Sequence, residues 1–108
     1  MASHAERVQE AYTAATGGVI EPLVALFDPD FDWEGVEHGL LWWRHLSYVD
    51  VSAEVVDGRG PKVVVNLRWH VADDPEEHEL YEVLTLRQGK ITELDEYEAR
   101  GEALAALL

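Results

Sequence analysis

Apolar residues in the first quarter of the chain recur at the spacing of an α-helix. Ser3 and Glu6 form an S-x-x-E capping box, which predicts where the first helix begins. Its apolar face consists of Ala5, Val8, Ala11, Tyr12 and Ala15. Gly17-Gly18 ends this helix, and Pro22 suits the first turn of a second helix that ends at Asp28-Pro29. The chain is therefore predicted to begin with two helices.

After the second helix, the pattern changes to the two-residue alternation of β-strands. A brief alternation predicts a short strand at residues 31–34. Longer alternations predict strands at 49–56, 63–71, 79–87 and 90–97. The turn signals are Asp57-Gly58, Asp73-Asp74-Pro75 and Gln88-Gly89. Residues 102–108 predict a short terminal helix whose inward residues are Leu104, Leu107 and Leu108. Two helices followed by an antiparallel meander predict an α+β domain, with the helices on one face of a curved sheet.

The composition excludes several classes of function. The 108 residues include 22 acidic and 8 basic side chains and no cysteine, with a formal charge of −14. Such an acidic chain is not expected to bind nucleic acid or an anionic membrane, and it has no disulfide or thiolate metal site. His38 and His45 lack converging ligands, so no metal site is predicted. Without a leader pattern or a spanning apolar run, we expect one domain, 1–108, in a soluble cytoplasmic protein.

Two stretches resemble the nuclear transport factor 2-like superfamily. The first consists of a helix that ends at a glycine pair, a second helix and then Asp32-Trp33-Glu34-Gly35, as in the N-terminal half of such proteins. The second, ELYEVLTLRQGKITELDEY from Glu79 to Tyr97, resembles the last hairpin of the SnoaL-like and ketosteroid isomerase-like branches. The resemblance implies a cone-like fold, in which a curved antiparallel sheet packs on two N-terminal helices around an apolar pocket. It also implies a homodimer formed through the sheet.

Residues 35–48 depart from the pattern of that superfamily. Its members usually carry a third helix between the first strand and the long strands, and this stretch leaves little room for one. The run Leu40-Leu41-Trp42-Trp43 fits a strand end, one helical turn or an aromatic loop. If the third helix is missing or reduced, one wall of the pocket is missing with it.

Glu82 is the strongest candidate for a catalytic residue. It shares a strand face with Leu80, Leu84 and Leu86, so the row is apolar except for one carboxyl group. Burial raises the pKa of a lone carboxyl group because desolvation penalises the ionised form, and a neutral carboxyl can act as a general acid. The alternative is that Glu82 lies near a sheet edge or pairs with a basic residue.

Tyr12 is the second candidate, because it lies on the apolar face of the first helix. In the ketosteroid isomerases, the helix that RVQEAYTAA resembles supplies a tyrosine to the oxyanion hole, beside an acid that aligns with Glu82. This pairing of a tyrosine with a protonated acid is a known pattern that the resemblance implies. The aspartate base of those enzymes falls on Gly35, next to Glu34. The alternative for Tyr12 is core packing with a satisfied hydroxyl.

Glu96 is a third candidate. In SnoaL-like cyclases, an acid in the last strand acts as general acid–base, and GKITELDEY matches that strand at Glu96. Asp95, Glu96 and Glu98 lie close together, and alternation alone does not decide which of them faces inward. A solvated acidic face is the alternative.

Aromatic residues supply candidate ligand contacts. The predicted ligand-binding residues are Trp33, Glu34, Trp42, Trp43 and Trp69. Trp69 lies on the inward face of its strand and is most simply a core residue. Trp42 and Trp43 are adjacent and cannot both face one side of a regular element, so one of them is a candidate for a pocket mouth or a subunit contact.

Two hypotheses about function follow from these patterns. The first is a SnoaL-like domain that binds or transforms an apolar small molecule by proton transfer of the isomerase or cyclase type, without a metal or cofactor. The second is a non-catalytic homodimeric association module. The buried position predicted for Glu82 favours the first, and the short 35–48 segment favours the second.

Overall fold

Two helices begin the chain, as the sequence predicts. The computed structural model describes residues 3–31 and 48–108, with the backbone alone at 48 and 49. Helix α1 (His4–Thr16) begins after Ser3, whose Oγ accepts a hydrogen bond of 3.1 Å from the backbone amide of Glu6. Its buried residues are Val8, Ala11, Tyr12 and Ala15. The predicted cap is confirmed, and so is the predicted apolar face except for Ala5, which is only half-buried.

Replacing Ser3 with alanine is expected to destabilise the protein by about 1 kcal/mol, because the Glu6 amide loses its only side-chain acceptor at the start of α1. Urea unfolding measures the loss. Ser3→Asp keeps an acceptor at the cap and is the matched control. Equal stability of Ser3→Ala and the wild type would contradict the role of the cap.

Helix α2 (Glu21–Leu26) carries Pro22 in its first turn and buries Leu23 and Leu26. Beyond it, the chain is fixed to the last strand of the sheet, because the Asp28 amide donates a 2.9 Å hydrogen bond to the carbonyl oxygen of Ile91. The predicted short strand at 31–34 lies outside the described residues except for its first position. The stretch at 35–47 lies outside them as well.

The strands form one antiparallel sheet in chain order. They are β1 (Tyr48–Arg59), β2 (Lys62–Val71), β3 (Glu77–Arg87) and β4 (Lys90–Tyr97). Bulges interrupt the register twice between β1 and β2 and once between β3 and β4. Because a bulge bends its strand and increases the local twist, these irregularities curve the sheet. The predicted meander of four long strands is confirmed.

The predicted turn at Asp57-Gly58 is wrong. Strand β1 continues to Arg59, which pairs with Lys62 across a two-residue turn at Gly60-Pro61. The physical reason is a bulge that places one extra residue between Val55 and Asp57, so that Asp57-Gly58 stays paired with β2. Gly60, with φ +57°, supplies the left-handed conformation that the turn requires.

Both faces of the middle of the sheet are covered. The main core lies between the sheet and the helices α1 and α2, and a second cluster lies on the opposite face against α3 (Arg100–Ala105). That second cluster contains Val64, Tyr81, Val83, Ala103 and Leu107. Val64 therefore faces away from α1 and α2 and is buried by α3.

The predicted inward set of the terminal helix is partly wrong. Leu107 is buried and Leu104 is half-buried, but Leu108 is 90% exposed and Ala103 is buried in its place. Helix α3 ends at Ala105, so the last three residues no longer follow helical spacing and Leu108 points away from the sheet.

Candidate active site

A tyrosine and a glutamate form a buried pair between α1 and the sheet. The hydroxyl of Tyr12 donates a 2.6 Å hydrogen bond to Oε1 of Glu82. The two residues are 0% and 1% exposed. Tyr12 reaches this point because it lies on the buried face of α1, and Glu82 because its strand face carries Leu80 and Leu84 on either side. The structure thus brings together the two residues that the sequence singles out first.

The alternative interpretation of Glu82 does not hold for the residues that the structure describes. Strand β3 lies between β2 and β4, so Glu82 is not at a sheet edge. The ion pairs within residues 3–31 and 48–108 join Arg68 to Glu79 and two histidines to aspartates, and none involves Glu82. Its only described polar side-chain partner is the hydroxyl of Tyr12.

Burial controls the protonation of this pair. The pKa of Glu82 is raised to about 8, mainly by desolvation; the hydrogen bond from Tyr12 lowers it and the negative charge of Glu96 raises it within that net value. Burial and the adjacent Glu82 raise the pKa of Tyr12 well above its ordinary value. At neutral pH the Glu82 carboxyl is therefore mostly protonated, and the Tyr12 hydroxyl keeps its proton.

Glu96 faces the same side of the sheet as Glu82. The two residues are direct partners in the register of β3 and β4, and directly paired residues project their side chains to one face. Glu96 is half-buried and its Oε2 atom is shielded from solvent, whereas Asp95 and Glu98 are exposed. The question that alternation left open is thus decided in favour of Glu96.

Two carboxyl groups on directly paired residues of neighbouring strands can act as proton donor and proton acceptor. A carboxyl that stays neutral can donate a proton, and a second carboxyl that ionises can accept one. The coupling is electrostatic, because the charge of Glu96 disfavours ionisation of Glu82. Such an arrangement can support general acid–base chemistry on a neutral ligand.

Trp69 is a core residue. It is 7% exposed, belongs to the main core and stacks on His78, with ring centroids 5.8 Å apart and planes 19° apart. Its predicted contact with a ligand stays a prediction. Trp33, Glu34, Trp42 and Trp43 lie outside the described residues, and their predicted roles stay predictions as well.

Two surface clefts are lined by described residues, and neither includes Tyr12 or Glu82. One, of about 630 Å³, lies where the start of α1 meets the β1–β2 turn. The other, of about 380 Å³, lies between α1 and α2. The sequence did not point to either, because each is built from elements that meet only in the folded chain.

Within residues 3–31 and 48–108, no three histidine, aspartate or glutamate side chains converge as metal ligands would. No helix in the same part of the chain is long and apolar enough to cross a membrane.

Comparisons with known proteins bear on the fold. No family model matches the chain, and no curated protein matches it. The structure is similar to a crystal structure of a proposed polyketide cyclase from Pseudomonas putida, with a TM-score of 0.59 and 14% sequence identity over 100% of both chains. The two structures share an α+β fold. Helices followed by a curved antiparallel sheet are consistent with the nuclear transport factor 2-like architecture that the sequence resembles.

Proposed function

We propose that the protein is a SnoaL-like domain of the ketosteroid isomerase-like branch that transfers protons on an apolar small molecule. The observation that carries the proposal is the buried 2.6 Å hydrogen bond between Tyr12 and Glu82, with the Glu82 carboxyl kept mostly neutral. Above its ordinary pKa of 4.5 a buried carboxyl of this kind lowers the stability of the fold, because desolvation opposes its ionisation. Such groups are concentrated at functional sites, where a proton must be held ready.

The reaction class that suits these groups is enolisation of a carbonyl compound. The carboxylate of Glu96 removes a proton from the carbon next to the carbonyl, and the electron pair of that C–H bond forms the C=C bond of an enol. The carboxyl of Glu82 supplies a proton to the carbonyl oxygen. In a β,γ-unsaturated ketone, the dienol takes the proton back from Glu96 at its γ-carbon and returns its hydroxyl proton to Glu82, which completes an isomerisation. In a diketone, the α-carbon of the enol attacks the second carbonyl carbon, whose oxygen takes up the proton from Glu96 while the enol hydroxyl returns its proton to Glu82, which completes a cyclisation. Either outcome is redox-neutral.

Tyr12 is a positioning residue in this scheme. Its hydroxyl holds Oε1 of Glu82, which fixes the orientation of the carboxyl, and its bond opposes the rise in the Glu82 pKa. Without Tyr12 the acid would be weaker still and its carboxyl free to rotate. Proton donors work best when their pKa lies near the working pH, so the bond keeps Glu82 useful as an acid near neutrality.

The surroundings of Glu82 favour an apolar substrate. Its neighbours on the inward face are Val65, Leu80 and Leu84, all buried in the main core. A neutral ketone or polyketide-like ring loses little hydration on entering such a site, whereas a charged substrate would lose much. Trp69 and the residues Trp33, Glu34, Trp42 and Trp43 are the proposed remaining contacts.

The proposal predicts that the protein accelerates hydrogen exchange next to a carbonyl. A bicyclic ketone dissolved in D₂O is expected to lose its α-proton NMR signal faster with the wild-type protein than without protein. With Glu82→Gln or Glu96→Gln, the exchange is expected to be at least about tenfold slower than with the wild type. Glu93→Gln removes an exposed acid from the same strand as Glu96 and is the matched control. Exchange that is no faster with the wild type than with Glu82→Gln would contradict the proposal. The alternative hypothesis, a non-catalytic association module, would then stand.

A further inference from the structure

The side chain of Gln9 joins α1 to the first strand of the sheet. Strand β1 begins the sheet order, so one of its sides has no neighbouring strand among residues 3–31 and 48–108. Oε1 of Gln9 accepts a 2.7 Å hydrogen bond from the backbone amide of Val55, and Nε2 donates a 3.1 Å hydrogen bond to the carbonyl oxygen of Ala53. The side-chain amide thus makes two bonds of the kind that a neighbouring strand would make with β1.

These hydrogen bonds hold the Gln9 amide in one orientation. Nε2 also donates a 3.1 Å hydrogen bond to Oγ1 of Thr13, one turn later in α1. Both hydrogens of the NH₂ group and a lone pair of Oε1 are therefore in use. The reverse orientation would place the NH₂ group against the amide of Val55, with one donor facing another. Gln9 is half-buried, so water competes for these bonds less than it would at an exposed position.

A helix fixed at Gln9 is fixed at Tyr12 as well. Residues three apart are neighbours on a helix surface, and a rise of about 1.5 Å per residue places these two about 4.5 Å apart along the axis. Helix α1 is continuous from His4 to Thr16, so no break separates them. Strands β1 and β3 both pair with β2. A shift of α1 along β1 would therefore move Tyr12 relative to Glu82.

The hydrogen bond between Tyr12 and Glu82 leaves little room for such a shift. Its length is 2.6 Å, and O–H···O bonds extend to only about 3.0 Å. The apolar face of α1 resists separation from the sheet, but apolar packing is not directional. Arg7 adds one 3.3 Å hydrogen bond to the carbonyl oxygen of Gly89, in the β3–β4 turn. The two bonds of Gln9 are shorter and fix α1 directly to a strand.

We propose that Gln9 is a positioning residue for the proton transfer: its pairing with β1 fixes α1 and keeps the Tyr12 hydroxyl on the carboxyl of Glu82. Gln9 acts through Tyr12 and is not itself a catalytic residue. Its role rests on the proposed function, because it serves the acid of that reaction. A misplacement of about 1 Å can slow catalysis by up to about a hundredfold, so a second contact that fixes the helix has a large effect available to it.

Replacing Gln9 with methionine tests this role. Methionine is similar to glutamine in length and helix propensity, but it cannot make the bonds to Ala53 and Val55. In Gln9→Met, the midpoint of the Glu82 titration, followed by ¹³C NMR of glutamate carboxyl carbons, is expected to rise above that of the wild type. The reason is that a weakened bond from Tyr12 lowers the pKa of Glu82 less. The rise should be smaller than in Tyr12→Phe, and ketone exchange should slow by roughly tenfold.

Two comparisons separate positioning from a loss of stability. Ser3→Ala destabilises the same helix but leaves the Gln9 bonds in place, so its Glu82 midpoint should equal that of the wild type. In a Tyr12→Phe background, Gln9→Met should cause no further rise, because the bond through which it acts is already absent.

Three results would overturn the role of Gln9. They are a midpoint unchanged by Gln9→Met, an equal rise in Ser3→Ala, and an equal further rise in the Tyr12→Phe background. Lack of ketone exchange with the wild type would instead contradict the proposed function. The titration distinguishes these failures because it needs no ligand.

Discussion

Replacing Glu82 with glutamine is expected to abolish a loss of stability of about 5 kcal/mol that the wild type undergoes between pH 4.5 and 8. In the unfolded chain, Glu82 releases its proton near its ordinary pKa of 4.5, whereas in the folded protein it holds the proton until a pKa of about 8. Between these values the folded state binds one more proton than the unfolded state. Its free energy of unfolding therefore falls by about 1.4 kcal/mol for each pH unit.

The direction of this dependence follows from the raised pKa. Below pH 4.5 the carboxyl is protonated in both states, so its full contribution to stability is present. As the pH rises through 8, that contribution is lost, because the folded state must then bury a charge. Most carboxylates act in the opposite direction, since their folded pKa is depressed and they stabilise proteins as the pH rises.

Urea unfolding at a series of pH values measures this effect as the difference between the wild type and Glu82→Gln. Glutamine keeps the shape of the side chain and an oxygen that accepts the Tyr12 hydrogen bond, but it does not titrate. Glu93→Gln removes an exposed acid and is the control: its stability should fall with pH as that of the wild type does. Parallel stability curves for the wild type and Glu82→Gln would show that Glu82 is ionised in the folded state at neutral pH.

Replacing Tyr12 with phenylalanine is expected to cost about 1–3 kcal/mol, with the larger loss above pH 8. The ring still fills its place in the core, but Oε1 of Glu82 loses the hydrogen bond that Tyr12 donates. A buried acceptor without a donor costs most when it carries a charge. The bond lowers the pKa of Glu82, so its removal should raise that pKa and extend the fall in stability to higher pH.

The matched control for Tyr12→Phe is Tyr97→Phe. Tyr97 is half-buried and packs in the cluster on the opposite face of the sheet, so its hydroxyl is remote from Glu82. Unfolding curves and the Glu82 titration should both stay close to those of the wild type in this control. If Tyr12→Phe were as stable as Tyr97→Phe at every pH, the hydrogen bond to Glu82 would contribute nothing.

The buried faces of single elements could be predicted from the sequence. Helical spacing placed Tyr12 on the inner face of α1, and alternation placed Glu82 in an apolar row, because both periods depend only on local backbone geometry. The resemblance of RVQEAYTAA and of the last hairpin to known enzymes then implied that the two residues meet. Their hydrogen bond of 2.6 Å agrees with that implication.

Features that depend on pairing between elements could not be predicted in the same way. Glu96 faces Glu82 through a register that includes a bulge near Thr85, and a bulge changes which residues of the partner strand share a face. A second bulge in β1 moved the predicted turn from Asp57-Gly58 to Gly60-Pro61. The alternation of apolar and polar residues in one sequence does not show where a bulge inserts an extra residue.

The central claim, a neutral carboxyl group held by Tyr12 in the core, is tested most directly by titrating Glu82. Protein labelled with ¹³C at glutamate carboxyl carbons, with Glu82→Gln to assign the signal, gives the titration midpoint by NMR. We expect a midpoint near pH 8, rising further in Tyr12→Phe. A midpoint near the ordinary pKa of 4.5 would contradict it, because Glu82 would then be an ionised group at neutral pH and could not serve as the proton donor.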